Sequence, residues 1–113
     1  MAPSFSKNPP SDKPARVSHK LDEIEAEMKR IGCWTENPPQ FTVTHYLEAP
    51  TFELWLQCIF LPNARRAAAE NRFPSTSQVG LMAMRQYDYH EYVEAAQPLL
   101  ALLREFDRII EAG

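Results

Sequence analysis

Between Thr51 and Pro62 lie ten residues, Phe52 to Leu61, of which only Glu53 and Gln57 are polar. Phe52, Trp55, Leu56, Ile59 and Phe60 recur at the i, i+3, i+4, i+7, i+8 spacing of one helix face. Leu54, Cys58 and Leu61 form a second apolar stripe on the opposite side. Thr51 supplies an N-cap, and Glu53 suits the positive end of the helix dipole. A helix that is apolar nearly all round must sit at the centre of a bundle or be covered by something else. Pro62 falls inside the same pattern. It has no N–H for the Cys58 carbonyl and its ring collides with that carbonyl, so a kink is expected before the helix continues to Glu70.

The other segments supply partners for this helix. A first helix is expected from about Asp12 to Ile31, with Ser11 or Asp12 as cap and Pro14 in its first turn. Val17, Leu21, Ile24, Met28 and Ile31 form one narrow stripe among Lys, Glu, Asp and Arg, which predicts a peripheral helix packed on one side only. Gly32 ends it. Residues 33–50 make a long crossover loop, with Trp34, Phe41 and Tyr46 as its pins. The alternation in Phe41–Tyr46 has no strand to pair with and is read as loop. A turn surrounds Pro74, and a short helix is expected over roughly Thr76–Gln86. The last helix is expected to start near Asp88, with Asp88 and Glu91 as an acidic capping box, and Pro98 kinking or splitting it. Leu99, Leu100, Leu103, Phe106, Ile109 and Ile110, with Tyr92, Val93 and Ala96, give it a wide apolar face. The sum is an all-α four-helix bundle over residues 12–113, with a long first crossover loop. The N-terminal tail, residues 1–11, is rich in Pro and Ser and is expected to be disordered or held by a neighbouring surface.

Charge adds little to this frame. The net charge is -3, but residues 62–87 carry Arg65, Arg66, Arg72 and Arg85 against Glu70 alone. Four arginines form a modest patch beside the dense ones of nucleic-acid domains. The N-terminal residues lack the apolar run of a signal peptide, and no stretch has the length of a membrane span. The expected location is the cytoplasm, where Cys33 and Cys58 remain free thiols.

Catalytic constellations are not legible. His19, His45 and His90 have no i,i+4 partner for a metal. There is no nucleophile elbow and no glycine-rich phosphate loop. No cofactor, no metal and no enzymatic activity are expected. Cys58 is read as a small buried hydrophobe and Cys33 as inert. Asp107, at the edge of the last helix's apolar face, needs hydrogen-bond partners if buried, and Trp34, Trp55, a tyrosine hydroxyl or an arginine are the available donors. Tyr87, Tyr89 and Tyr92 cluster near the expected start of that helix, and Arg65 and Arg66 follow the proline. Tyrosine and arginine concentrate at interfaces. The candidate partner-binding residues are therefore Leu54, Cys58, Leu61, Arg65, Arg66, Tyr89 and Tyr92.

The run Trp55-Leu56-Gln57-Cys58-Ile59-Phe60-Leu61-Pro62 resembles the signature of the YqcC-like family of small bacterial four-helix proteins. Phe52-Glu53, Trp34 with its following prolines, the Pro74 turn and Leu103–Ile110 with Asp107 fit as well, so the resemblance covers most of the chain from Val17 onward. It marks Trp34, Phe52, Trp55, Gln57, Phe60, Pro62 and Asp107 as structural. Leu54, Ala49-Pro50 and Asn63-Ala64 depart from the family pattern. The resemblance implies a bundle without known catalysis, accessory to a tRNA pseudouridine synthase whose gene often lies beside those of the family. Three functions follow as expectations: docking on a protein partner, direct RNA contact through Arg65, Arg66, Arg72 and Arg85, or a homodimer through Leu54, Cys58 and Leu61.

Overall fold

A computed structural model of the chain describes residues 12–40, 49–90 and 94–112, with the side chains of 88–90 excluded. It contains four helices and, among the described residues, no strand. Helix α1 is Lys13–Arg30. Helix α2 covers residues 52–70 in three pieces: an α-turn Phe52–Trp55, a π-helical turn Leu56–Phe60 and an α-helix Leu61–Glu70. Helix α3 is Val79–Met84, continued by a second π-helical turn, Arg85–His90. A 3-10 turn, Glu94–Ala96, leads into α4, Gln97–Glu111. Phe41 and Tyr46, the expected pins of the crossover, lie outside the described residues. None of the described helices is long and apolar enough to cross a membrane.

Helix α1 carries out its sequence pattern. Val17, Leu21, Ile24 and Met28 are all buried. Its end is a two-bond cap: Gly32, at φ 81°, donates to the Lys29 carbonyl and Cys33 donates to that of Met28. Its expected peripheral position needs correction, because α1 packs against both α2 and α4. The polar flanks close those two contacts. Lys13 Nζ donates to the Ile110 carbonyl at 2.7 Å, and Lys20 reaches Glu105 at 2.6 Å, so α1 and α4 run antiparallel. On the other side Arg65 forks between Asp22 (3.0 Å) and Glu25 (2.9 Å).

Proline 62 acts differently from the expected kink. The Leu61 N–H donates to the Leu56 carbonyl, five residues back, and the proline enters the first turn of a fresh α-helical piece. The π-turn has made room for a residue with no N–H to give. The register changes with it. In an uninterrupted α-helix Leu61 stands about 140° from Leu56, at about 100° per residue; one inserted residue brings the two to about 40°. Leu61 therefore joins Leu56 and Phe52 in the core, at 2% exposure, and leaves the outer stripe it was assigned to.

Helix α3 begins at Val79, three residues later than expected, and its N-cap Gln78 makes no side-chain cap bond. The backbone of Asp88 lies within the π-turn, and the α-helical part of the last helix starts later than expected, at Gln97 with Pro98 in its first turn; the Asp88 side chain and Glu91, the expected capping box, lie outside the described residues. Proline is tolerated there because that N–H has no partner inside the helix anyway. The buried faces of the four helices join in one core, with Leu99, Leu103 and Phe106 of α4 among the members.

The crossover is held by one buried polar side chain. Gln57 Nε2 donates to the Thr35 carbonyl at 2.7 Å, and the Thr35 N–H donates back to Gln57 Oε1 at 3.0 Å. The side chain thus pairs with a peptide unit as a neighbouring strand would. Gln57→Met, which keeps the volume, is expected to cost about 1–2 kcal/mol and to speed amide exchange at Thr35. Unchanged exchange at that amide would refute the pin.

Candidate functional site

Helices α2 and α4, with the Phe73–Pro74 turn, enclose an apolar groove of about 250 Å³. Trp55, Ile59, Phe60, Ala64 and Ala67 come from α2, Phe106 and Ile110 from α4, and Phe73, Pro74 and Ser77 from the connection to α3. Trp55, Ile59 and Phe60, on the face expected to be central in the bundle or covered, are half-buried. The π-turn brings Leu61 inward, while Ile59 and Phe60 within it and Trp55 just before it line the groove.

The floor is aromatic. Phe60 meets Phe106 edge-on with ring centroids 5.1 Å apart, and Trp55 stacks on Phe60 at 5.9 Å. The chain of rings continues away from the groove through Phe52 to Tyr87, an edge contact at 5.9 Å. Such pairs fix ring orientation beyond the area they bury. At the far end the buried Tyr87 hydroxyl donates to Glu53. Burial and that bond push the Tyr87 hydroxyl far up, and burial pushes the neighbouring Cys33 thiol up to about 11.

The two shifts set an alkaline limit. Both groups keep their proton in the fold after the unfolded chain has lost it, so the unfolded state binds fewer protons above about pH 9. Their stabilising contribution is whole below that pH. It is lost as pH rises, through about 11 for Cys33 and higher for Tyr87. Urea midpoints are expected to fall between about pH 9 and 10.5. Cys33→Ser and Tyr87→Phe should each flatten the slope, and an unaltered slope in both would count against the assignment.

The polar side chains of the groove are Asn63 and Ser77. Ser77 is already engaged, for its hydroxyl donates to Asp107 Oδ1 at 2.6 Å. Asp107 also accepts from the Val79 N–H at 3.2 Å and the Gly80 N–H at 2.8 Å. A carboxylate on α4 therefore caps the start of α3. Its partners are a serine and two peptide N–H groups, in place of the tryptophan, tyrosine or arginine expected. Burial raises the Asp107 carboxyl and Glu111 adds to the rise, while the three donors oppose it.

The sequence-derived docking residues are not gathered at one place. Leu54 and Cys58 are half-buried on α2, and burial raises the Cys58 thiol. Leu61 is core, which removes it from any dimer stripe. Arg65 is bound to Asp22 and Glu25, so it is not a free cation for phosphate, whereas Arg66, Arg72 and Arg85 are exposed. The Tyr89 side chain and all of Tyr92 lie outside what the structure describes. Among the described residues no group of three or more His, Cys, Asp or Glu is placed to hold a metal ion. The groove itself was missed at the sequence level, because its walls come from three separate segments.

Residues 16–109 match the model of the family DUF446, described as tRNA pseudouridine synthase C. The chain belongs to that family. The match runs from the second turn of α1 to the last turn of α4, so the DUF446 domain takes in all four helices and the groove. No curated protein and no solved structure matches the chain.

Proposed function

We propose that this DUF446 chain is a YqcC-like, non-catalytic binding module whose groove between α2 and α4 receives an apolar segment of a protein partner, a tRNA pseudouridine synthase. The observation that carries this reading is the groove's composition: an aromatic floor and, among the described residues, no titratable side chain in its lining. Acid–base or nucleophilic chemistry needs a titratable or activated group within hydrogen-bond reach of substrate. Among the described residues of the lining none is titratable, and the one serine hydroxyl donates to Asp107. What the groove offers is a concave apolar surface with ordered rings, the form that receives an anchor side chain. The family's description supplies the choice of partner.

Calorimetric titration of the synthase into the chain tests the reading. Saturable heat at micromolar concentration is expected. Ile59→Asp places an unpaired charge in the groove wall and should weaken binding at least tenfold, about 1.4 kcal/mol, with the helical circular dichroism unchanged. Absence of heat at tens of micromolar would overturn the choice of partner. Equal affinity of the Ile59→Asp chain would overturn the choice of surface.

A further inference from the structure

We propose that the groove receives an amphipathic helix of its protein partner, with apolar anchors at i, i+4 and i+7 spacing and an acidic flank turned toward Arg66 and Arg72. This rests on the docking function proposed above and states the chemistry of the segment that docks.

The walls favour a helix. Helices α2 and α4 both pack against α1, but they meet each other chiefly through side chains, Phe60 on Phe106. A trough is left along their seam, and its α2 wall runs from Trp55 to Ala67. The twelve steps from 55 to 67, at about 1.5 Å each, make about 18 Å, a little over three helical turns. With a volume of about 250 Å³, the trough takes the side chains of one helix face and not a helix body. Side chains on one face recur every three to four residues. An extended segment would take its backbone bonds from a sheet edge. The described residues contain no strand, and α2 and α4 satisfy their backbone groups internally.

The rim favours acid. Arg66 adjoins Ala67 of the lining and stands about 60° round the helix axis from Asn63, at about 100° per residue. Arg72 immediately precedes Phe73 of the third wall. Both arginines are exposed, and neither has an ion-pair partner among the described residues. The Lys13 ammonium, 5.3 Å from the centre of the Phe73 ring, adds a further positive charge. Two acids stand near these three cations. Glu70 follows Arg66 by four residues without closing an ion pair, and Glu111 accepts from the Ser77 N–H. The rim is therefore positive on balance. An apolar helix with acids along one flank is steered to it and held in one orientation, whereas a basic helix is repelled.

Selection from a phage-displayed library of random peptides, each about 16 residues or four helical turns long, tests this. The full chain is the target, and its Ile59→Asp variant is the counter-target that confines the selection to the groove. Enriched peptides are expected to carry apolar residues at i, i+4 and i+7 with Asp or Glu beside them, and to gain helical circular dichroism on binding. Their affinity should fall at least about tenfold for the Arg66→Glu/Arg72→Glu chain and should weaken with added salt. Both positions are exposed, so the helical spectrum of that variant should match the wild type. Enrichment of basic, proline-rich or alternating sequences would overturn the proposal. So would no enrichment, or enrichment that does not separate the chain from its Ile59→Asp variant. Acidic amphipathic peptides without synthase binding would remove only the choice of partner. Synthase binding with another peptide pattern would remove only this inference.

Discussion

Asp107→Ala is expected to destabilise the domain by about 3 kcal/mol and to lower its melting temperature by roughly 12–18 °C. The estimate rests on what the substitution strands. The Ser77 hydroxyl and the Val79 and Gly80 N–H groups all lose their acceptor. Helix α3 has no cap of its own to replace it, because Gln78 makes no side-chain cap bond. The loss therefore combines a charge-assisted hydrogen-bond set with a missing helix cap, each worth about 1–3 kcal/mol and not fully additive. Asp107→Asn keeps one acceptor oxygen and should retain about half of the stability. Thermal and urea unfolding of both variants measure this. A melting point within about 3 °C of wild type for Asp107→Ala would sink the cap.

The second large effect is expected at Gly80, and its sign is unusual. Gly→Ala within a helix ordinarily gains about 1 kcal/mol. At Gly80 the added Cβ would stand 2.7 Å from Arg104 Cγ, 2.8 Å from Asp107 Oδ2 and 2.9 Å from Arg104 Cα. The last of these is backbone, so α3 and α4 must separate or the carboxylate must leave. Gly80→Ala is expected to lose about 2 kcal/mol net of the propensity gain, and Gly80→Val about 4 kcal/mol. Both changes damage the same junction. In the double variant with Asp107→Ala the losses should sum to less than their separate values by at least about 1 kcal/mol. A neutral or stabilising Gly80→Ala would show that the two helices do not touch there.

The sequence disclosed those features that depend on local spacing. Val17, Leu21, Ile24 and Met28 are buried because an α-helix repeats every 3.6 residues and nothing interrupts α1. Thr51 caps α2 through its hydroxyl, which accepts from the Leu54 N–H at 3.0 Å. Gly32 ends α1 for the same local reason. What escaped was non-local or aperiodic. The π-turn before Pro62 shifts the register by one residue, so a projection at constant pitch misplaces Leu61. Asp107 was marked as needing partners, but those partners lie about thirty positions away in a turn with no pattern of its own. The ion pairs that hold Arg65, a candidate RNA or partner contact, are not legible in the sequence because its acids, Asp22 and Glu25, sit on another helix. The crowding at Gly80 is equally invisible, since a glycine inside a helix pattern gives no hint of what stands opposite. The candidate groove combines all of these, and it becomes visible only once three segments are folded together.

The antiparallel pairing of α1 with α4 also governs the order of assembly. Lys13 meets Ile110 across 97 positions, so within this domain the helix made first is matched with the helix made last. Closing a loop of that span costs conformational entropy before any contact repays it. Until α4 emerges, the greasy side of α1 lacks one of its two walls and is open to chaperones or to other nascent chains. The domain thus cannot close until α4 has been made. A stop introduced before residue 97 should yield a polypeptide that cells degrade, not a smaller stable bundle.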